Sequence, residues 1–185
     1  VLIGYQAGAQ QTTADNNTAV GSYASQHNYK GTEVTTLGYR AGRYATGSYN
    51  TFVGADAGLG GTTSAPYSSG QYNVAMGYQA FDAFTTAEYN TVIGNRAGSA
   101  VTTGDQNVLL GAGAGFSLTT GQYNTIVGVD ASNTHTDVNN IVAIGWNSAK
   151  VIEADGTIAI GYQALTLATS GAGNTAIGYQ AGHEL

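Results

Sequence analysis

Asn174-Thr175-Ala176-Ile177-Gly178-Tyr179-Gln180-Ala181-Gly182 decides the fold, because this pattern returns with changes along the whole chain. Its first glycine recurs as Gly4, Gly21, Gly38, Gly54, Gly77, Gly94, Gly111, Gly128, Gly145, Gly161 and Gly178. Successive glycines lie 17, 17, 16, 23, 17, 17, 17, 17, 16 and 17 residues apart. A fixed period of this length is the signature of a solenoid, in which each repeat buries its apolar face only against its neighbours.

The columns of the repeat show what each position requires. The residue before the glycine is always a large aliphatic: Ile3, Val20, Leu37, Val53, Met76, Ile93, Leu110, Val127, Ile144, Ile160 and Ile177. That constancy predicts an inward, buried core column. Side chains of a strand alternate between its faces, so the residue before this one points the other way. There the chain has Leu2, Ala19, Thr36, Phe52, Ala75, Val92, Leu109, Ile126, Ala143, Ala159 and Ala176, apolar everywhere except Thr36. A lone solenoid has no need of a second apolar column. Leu2, Ala19, Phe52, Ala75, Val92, Leu109, Ile126, Ala143, Ala159 and Ala176 therefore read as an interface with further copies of the chain. Three places after the glycine every residue is Ala except Ser148, which implies a tight approach of the opposite wall. Four places before it, Asn17, Asn50, Asn73, Asn90, Asn107, Asn124 and Asn174 suggest an amide ladder.

The remainder of each period is turn chemistry, as in Thr102-Thr103-Gly104, Thr119-Thr120-Gly121, Ser68-Ser69-Gly70 and Thr169-Ser170-Gly171. No apolar spacing of helical period exists. Each coil reads as a strand, a glycine corner, a second short extended piece and a polar turn. The expected fold is an all-β parallel solenoid of eleven coils, one repeat domain over residues 1–185, read as an excerpt of a longer fibre protein. The one long spacing places a loop insertion at residues 59–72, which holds the sole proline, Pro66, beside Tyr67.

Composition narrows the function classes. Only 9% of residues are charged while 42% are hydrophobic, which separates the chain from disordered sequences of high net charge. A net charge of −6 with five scattered basic residues argues against nucleic acid as a partner. Cysteine is absent, so thiolate metal sites and disulfides are excluded. No apolar run is long enough to insert this segment in a membrane as a helix.

The segments Thr18-Ala19-Val20-Gly21-Ser22-Tyr23-Ala24 and Thr175-Ala176-Ile177-Gly178-Tyr179-Gln180-Ala181 resemble the head repeats of YadA-like trimeric autotransporter adhesins. The resemblance covers all eleven coils and implies a left-handed, trimeric parallel β-roll. That family's usual period is shorter, and the longer Tyr/Thr/Gly-rich turn looks more like the repeats of phage tail-fibre and related virion proteins. The expected function is a structural and adhesive segment of a homotrimeric extracellular fibre, a virion appendage contacting a host-surface glycan or protein. The alternatives are a bacterial adhesin head and a glycan- or ice-binding module.

Enzymatic readings find little support. Hexapeptide acyltransferase helices need aliphatics on three walls, yet five places after the glycine stand Gln26, Arg43, Asp82, Ser99, Asn133, Lys150 and His183. His27, His135 and His183 share no repeat position and read as exposed loop residues. No catalytic, cofactor-binding or metal-ligating set emerges, and no cofactor is expected. Paired threonines at Thr85-Thr86, Thr102-Thr103 and Thr119-Thr120 align, but the Gly after two of the pairs favours turns over an ice-binding array. Candidate recognition residues are aromatic: Tyr67 with Pro66, and Tyr5, Tyr39, Tyr78, Trp146, Tyr162 and Tyr179 just after the glycine. Tyr49, Tyr72, Tyr89 and Tyr123 form a second aromatic column before the Asn positions.

Overall fold

The computed structural model describes residues 1–151, 154–167 and 171–183, so Thr169 and Ser170 of the last expected turn lie outside the described residues. The strands are β1 (Leu2–Ile3), β2 (Thr18–Val20), β3 (Thr35–Leu37), β4 (Thr51–Val53), β5 (Val74–Met76), β6 (Thr91–Ile93), β7 (Val108–Leu110), β8 (Thr125–Val127), β9 (Val142–Ile144), β10 (Ile158–Ile160) and β11 (Thr175–Ile177). They form one parallel sheet in chain order. Every column pairs with itself: Leu109 lies opposite Ile126, and Leu110 opposite Val127. The fold is an all-β parallel β-solenoid with about one strand per 17 residues. At about 4.8 Å per coil the sheet is a rod about 50 Å long.

The corner glycines explain why the strands stop after three residues. Gly111 has φ +135°, and a Cβ there would lie 2.5 Å from the carbonyl oxygen of Gly128, the corner of the next coil. Only a hydrogen fits at such an approach. Beyond the corner the chain turns through left-handed residues at the second and fourth positions, as at Arg96 (φ 54°) and Gly98 (φ 51°). A third left-handed residue precedes the Asn position in most coils, including Tyr72 (φ 59°) and Gln106 (φ 58°).

The far side of the coil contains no second strand among the described residues, contrary to the expected extended piece; only a single parallel bridge joins Ala45 to Ser68. Backbone bonds nevertheless continue there, from Thr85 N to Thr102 O (2.8 Å), Thr102 N to Thr119 O (2.9 Å) and Thr119 N to Thr136 O (2.7 Å). The same three threonines donate their hydroxyls to the same carbonyls. Their side chains are thus engaged in the turns.

The two apolar columns are exchanged relative to the expectation. Ala19, Phe52, Ala75, Val92, Leu109, Ile126, Ala143, Ala159 and Ala176 are buried and fill the coil; Leu2 is in the same column but lies uncovered in the first coil. Ile3, Leu37, Met76, Ile93, Ile144 and Ile177 are exposed, and Val20, Val53, Leu110, Val127 and Ile160 are half-buried on the outer face. The reason is steric. Interior positions must match the opposite wall, and the inward strand residue matches the residue six places later in its own coil. Phe52 lies over Gly58, where a Cβ would fall 2.4 Å from its ring. Leu109 similarly occupies the space left by Gly98 and Gly115. Where the strand offers only Ala75 or Ala159, the opposite position carries buried Phe81 or Leu165. Buried Thr36 is satisfied by the Ser25 hydroxyl at 3.0 Å.

The second interior wall lies seven places after the glycine, at Phe84, Val101 and Leu118, two residues beyond the polar column that had suggested its absence. Phe84 stacks on Phe81 at 5.0 Å and tilts against Phe52 at 5.5 Å. His135 occupies this wall and is buried, not an exposed loop residue.

The third wall is polar and fully bonded along the middle of the rod. Asn73, Asn90, Asn107 and Asn124 each donate from Nδ2 to the Oδ1 of the Asn one coil earlier, at 3.2, 3.1, 3.1 and 2.9 Å. Each amide also bonds a backbone carbonyl of the following coil, as Asn107 does to Gly121 O at 2.9 Å. Asn50 starts this run; Asn17 donates to Gly31 O and accepts from Val34 N, and Asn174 donates to Gly171 O. Val34, Ile141 and Thr157 interrupt the amide column.

Candidate functional site

Two surfaces stand out once the coil is built. The first is the outer face of the sheet, formed by the residues three and one places before the corner glycine and one place after it. None of these 33 positions carries a charge. The outward aliphatics are flanked by Thr18, Thr35, Thr51, Thr91, Thr125 and Thr175 alternating with Val74, Val108, Val142 and Ile158.

Aromatic rows border this face. Tyr49, Tyr72 and Tyr89 stack with centroids 4.9 and 4.8 Å apart and planes within 6°. The next coil puts Gln106 in the row, and an open cavity of about 370 Å³ lies against Tyr89, Gln106 and Val108. On the other border Trp146, Tyr162 and Tyr179 stack at 5.0 and 5.1 Å. Tyr5 meets Tyr23 edge-on at 5.4 Å, Tyr39 lies under Arg40 at 5.0 Å, and Tyr78 is exposed. Tyr5, Tyr39, Tyr78, Trp146, Tyr162 and Tyr179 therefore share one column but form no single cluster.

The second surface surrounds the insertion. The coil closes beneath it, with Gly61 N bonded to Phe84 O (2.8 Å) and Ser69 N to Thr85 O (2.7 Å). The residues between them project as a loop carrying exposed Pro66 and half-buried Tyr67. Tyr67 reaches back two coils to His27 at 4.8 Å, with Tyr44 at 6.0 Å and Tyr29 at 6.4 Å. His27 in turn stacks on Tyr44 at 5.1 Å.

No family model matches the chain, and comparison with curated proteins and with solved structures found no significant match. The surfaces must be interpreted from their own chemistry.

Titratable groups are dispersed. Arg40 forks onto Asp56 at 2.7 and 2.8 Å, and that hydrogen-bonded pairing raises the guanidinium above its usual pKa. Burial pushes the Asp82 carboxyl up to about 6, reinforced by the charge of Asp56. Burial likewise lowers the His135 imidazole to about 4; its Nδ1 lies 2.9 Å from the Ser132 hydroxyl. A cavity of about 530 Å³ beside it is lined by Thr134, Thr136, Asp137, Val138 and Val151. Ser132 is itself fully buried, and of the two only His135 lines that cavity. Among the described residues no group of three His, Asp or Glu is placed to hold a metal ion.

Among the surface features, sequence reasoning missed His27 as a neighbour of Tyr67 and Arg43 as the cation over Tyr44 in the same stack. They lie in adjoining columns five and six places after the glycine, and aligning Gln10, His27 and Tyr44 by coil would have exposed the stack.

Proposed function

We propose that the chain is a structural and adhesive segment of a homo-oligomeric extracellular fibre, a left-handed roll whose copies pack side by side as a trimer. The uncharged outer face of the sheet carries this reading. A solvated antiparallel or solenoid face normally alternates polar residues outward, whereas this one presents an aliphatic residue in every coil. Exchange of the two columns leaves the argument intact, because an apolar stripe running the full rod still lacks a cover. Taken between its two aromatic borders, the face measures about 50 by 20 Å, or about 1,000 Å², which matches the area each partner contributes to a stable interface.

A three-fold arrangement is favoured by the resemblance to trimeric adhesin heads and tail-fibre repeats, and a narrow face at one side of each rod suits packing around an axis. The same resemblance assigns the fibre to a virion appendage. The insertion, with its aromatic ring cluster, then stands at the side of the fibre where it meets a host surface.

Light scattering on the 185-residue protein tests the assembly directly. A mass three times the 18.8 kDa of one chain is expected, and a stable monomer at micromolar concentration would sink the proposal. Ile93→Glu should give folded monomers, since the side chain is 39% exposed in a single chain and the carboxylate is buried only between copies.

A further inference from the structure

Positive charge and aromatic surface coincide beside the only irregular coil. Lys30, Arg40 and Arg43, three of the chain's five basic residues, lie in the second and third coils of a protein of net charge −6. Arg40 is committed to Asp56. Arg43 is paired with no acid among the described residues. Its guanidinium lies over two rings, 4.8 Å from the Tyr23 centroid and 5.0 Å from that of Tyr44. Its Nε donates to Gln26 Oε1 at 2.7 Å. No described residue accepts from its two terminal nitrogens. A guanidinium so fixed presents two parallel donors in the geometry that a carboxylate accepts.

The surroundings are equally ordered. Gln10 Oε1 lies 2.8 Å from His27 Nδ1 and holds the imidazole in its stack on Tyr44. Burial, and then the charge of Arg43, lower the His27 pKa and favour a neutral ring. Tyr67 comes over the top of this stack from the insertion, and Lys30 lies 5.9 Å above the Tyr29 ring. The hydroxyls of Tyr29, Tyr44 and Tyr67 bond to no described residue. The patch thus combines a pre-oriented cation, apolar ring surface and uncommitted phenols within a few ångströms.

We propose that this patch binds a saccharide unit bearing a carboxylate. Arg43 receives the carboxylate through its terminal nitrogens. The C–H face of the sugar ring packs on Tyr67 and Tyr29, and the phenol hydroxyls bond the sugar hydroxyls, the mixture of apolar wall and few placed polar groups that small-ligand sites use. A neutral sugar would leave the guanidinium donors unused. A polyphosphate backbone would meet a protein of net negative charge. Arg43 reaches the Tyr23 ring, which meets Tyr5 and Tyr39 of the aromatic border, so the solution mass is measured alongside the titration and a failure to bind is separated from a failure to assemble.

The protein is titrated, with tyrosine and arginine side-chain NMR signals as readout, with methyl glycosides of glucuronate, galacturonate and mannuronate and with N-acetylneuraminate. The matched neutral methyl hexosides, sodium acetate and a glutamate-bearing tetrapeptide serve as comparators. At least one acidic sugar is expected to shift Tyr44, Tyr67 and Arg43 together, about tenfold more tightly than its neutral counterpart and than acetate. Arg43→Lys and Tyr67→Ala should each weaken that binding about tenfold with the melting temperature unchanged, Lys because it keeps the charge but loses the fork. The proposal is overturned if none of the acidic sugars binds, if acetate or the peptide binds as well, or if both variants retain the affinity.

Discussion

His135 shows how much a single position can differ from its column. The residue one coil earlier on the seven-place wall is Leu118, and the imidazole is only 6% exposed. Burial holds its pKa at about 4, while an unfolded histidine titrates near 6.5. The unfolded chain therefore takes up this proton first, and the stability contributed by the neutral ring is present above pH 6.5 and lost as pH falls toward 4. The loss amounts to about 3 kcal/mol on the shift alone. Asp82 acts in the opposite sense. Its folded pKa of about 6 exceeds the usual 3.8, so its contribution is present below 3.8 and lost as pH rises through 6. Thermal melts from pH 4 to 8 should show a shallower acid limb for His135→Leu than for the unsubstituted protein. Asp82→Asn should melt higher at pH 7 and gain nothing at pH 4.

At the scale of the coil, a bulky residue either in the strand or six places on is met by a small one at the other position, as Phe52 is by Gly58 and Phe81 by Ala75. Phe81→Ala leaves a large void beside Ala75 and should cost about 3–5 kcal/mol in chemical denaturation. Combining Ala75→Phe with Phe81→Gly reproduces the arrangement of Phe52 and Gly58 and should recover most of that loss. Recovery confined to the double variant would identify the pair as one packing unit. This pairing also explains what the sequence made legible. The period, the three-residue strands and the corner glycines could be read directly, because each recurs in every coil. Which apolar column faced inward could not be read from apolarity, since both faces of Thr175-Ala176-Ile177 and its equivalents lack charge. Constancy of size marked the outer column, where every residue meets the same neighbours. Variation in size marked the inner one, where Phe52 and Ala75 each answer a different opposite wall. The insertion was visible as a long spacing, yet its contact with His27 spans 40 positions and follows only from the stacking of coils. A related test concerns the tyrosine row. Gln106→Tyr supplies the missing member between Tyr89 and Tyr123 at a left-handed position that tyrosine already occupies elsewhere. Each new ring contact is worth about 0.5–1.5 kcal/mol, so the variant should melt higher.

For the whole molecule, stability is a sum of coil and nearest-neighbour terms. Removing residues 95–111 joins equivalent corners and should leave a folded solenoid one strand shorter, about 4.8 Å less in length. Its circular dichroism should keep the same shape, and its dependence on denaturant should fall roughly in proportion to the surface removed. Loss of folding in that deletion would mean that the coils are less interchangeable than their shared register implies. Copies that pack through the outer face would be affected more strongly, because every lost coil also removes a strip of their contact.

The loop between Gly61 and Ser68 has a further consequence for such copies. A surface that repeats every coil looks nearly the same after a slide of one step, so two rods could dock in many staggered alignments of similar energy. The protruding loop occurs once. It would serve as a height mark on an otherwise uniform ladder: only the unstaggered alignment would gather the loops of all copies at one level along the rod, and a slide of one coil would spread them apart.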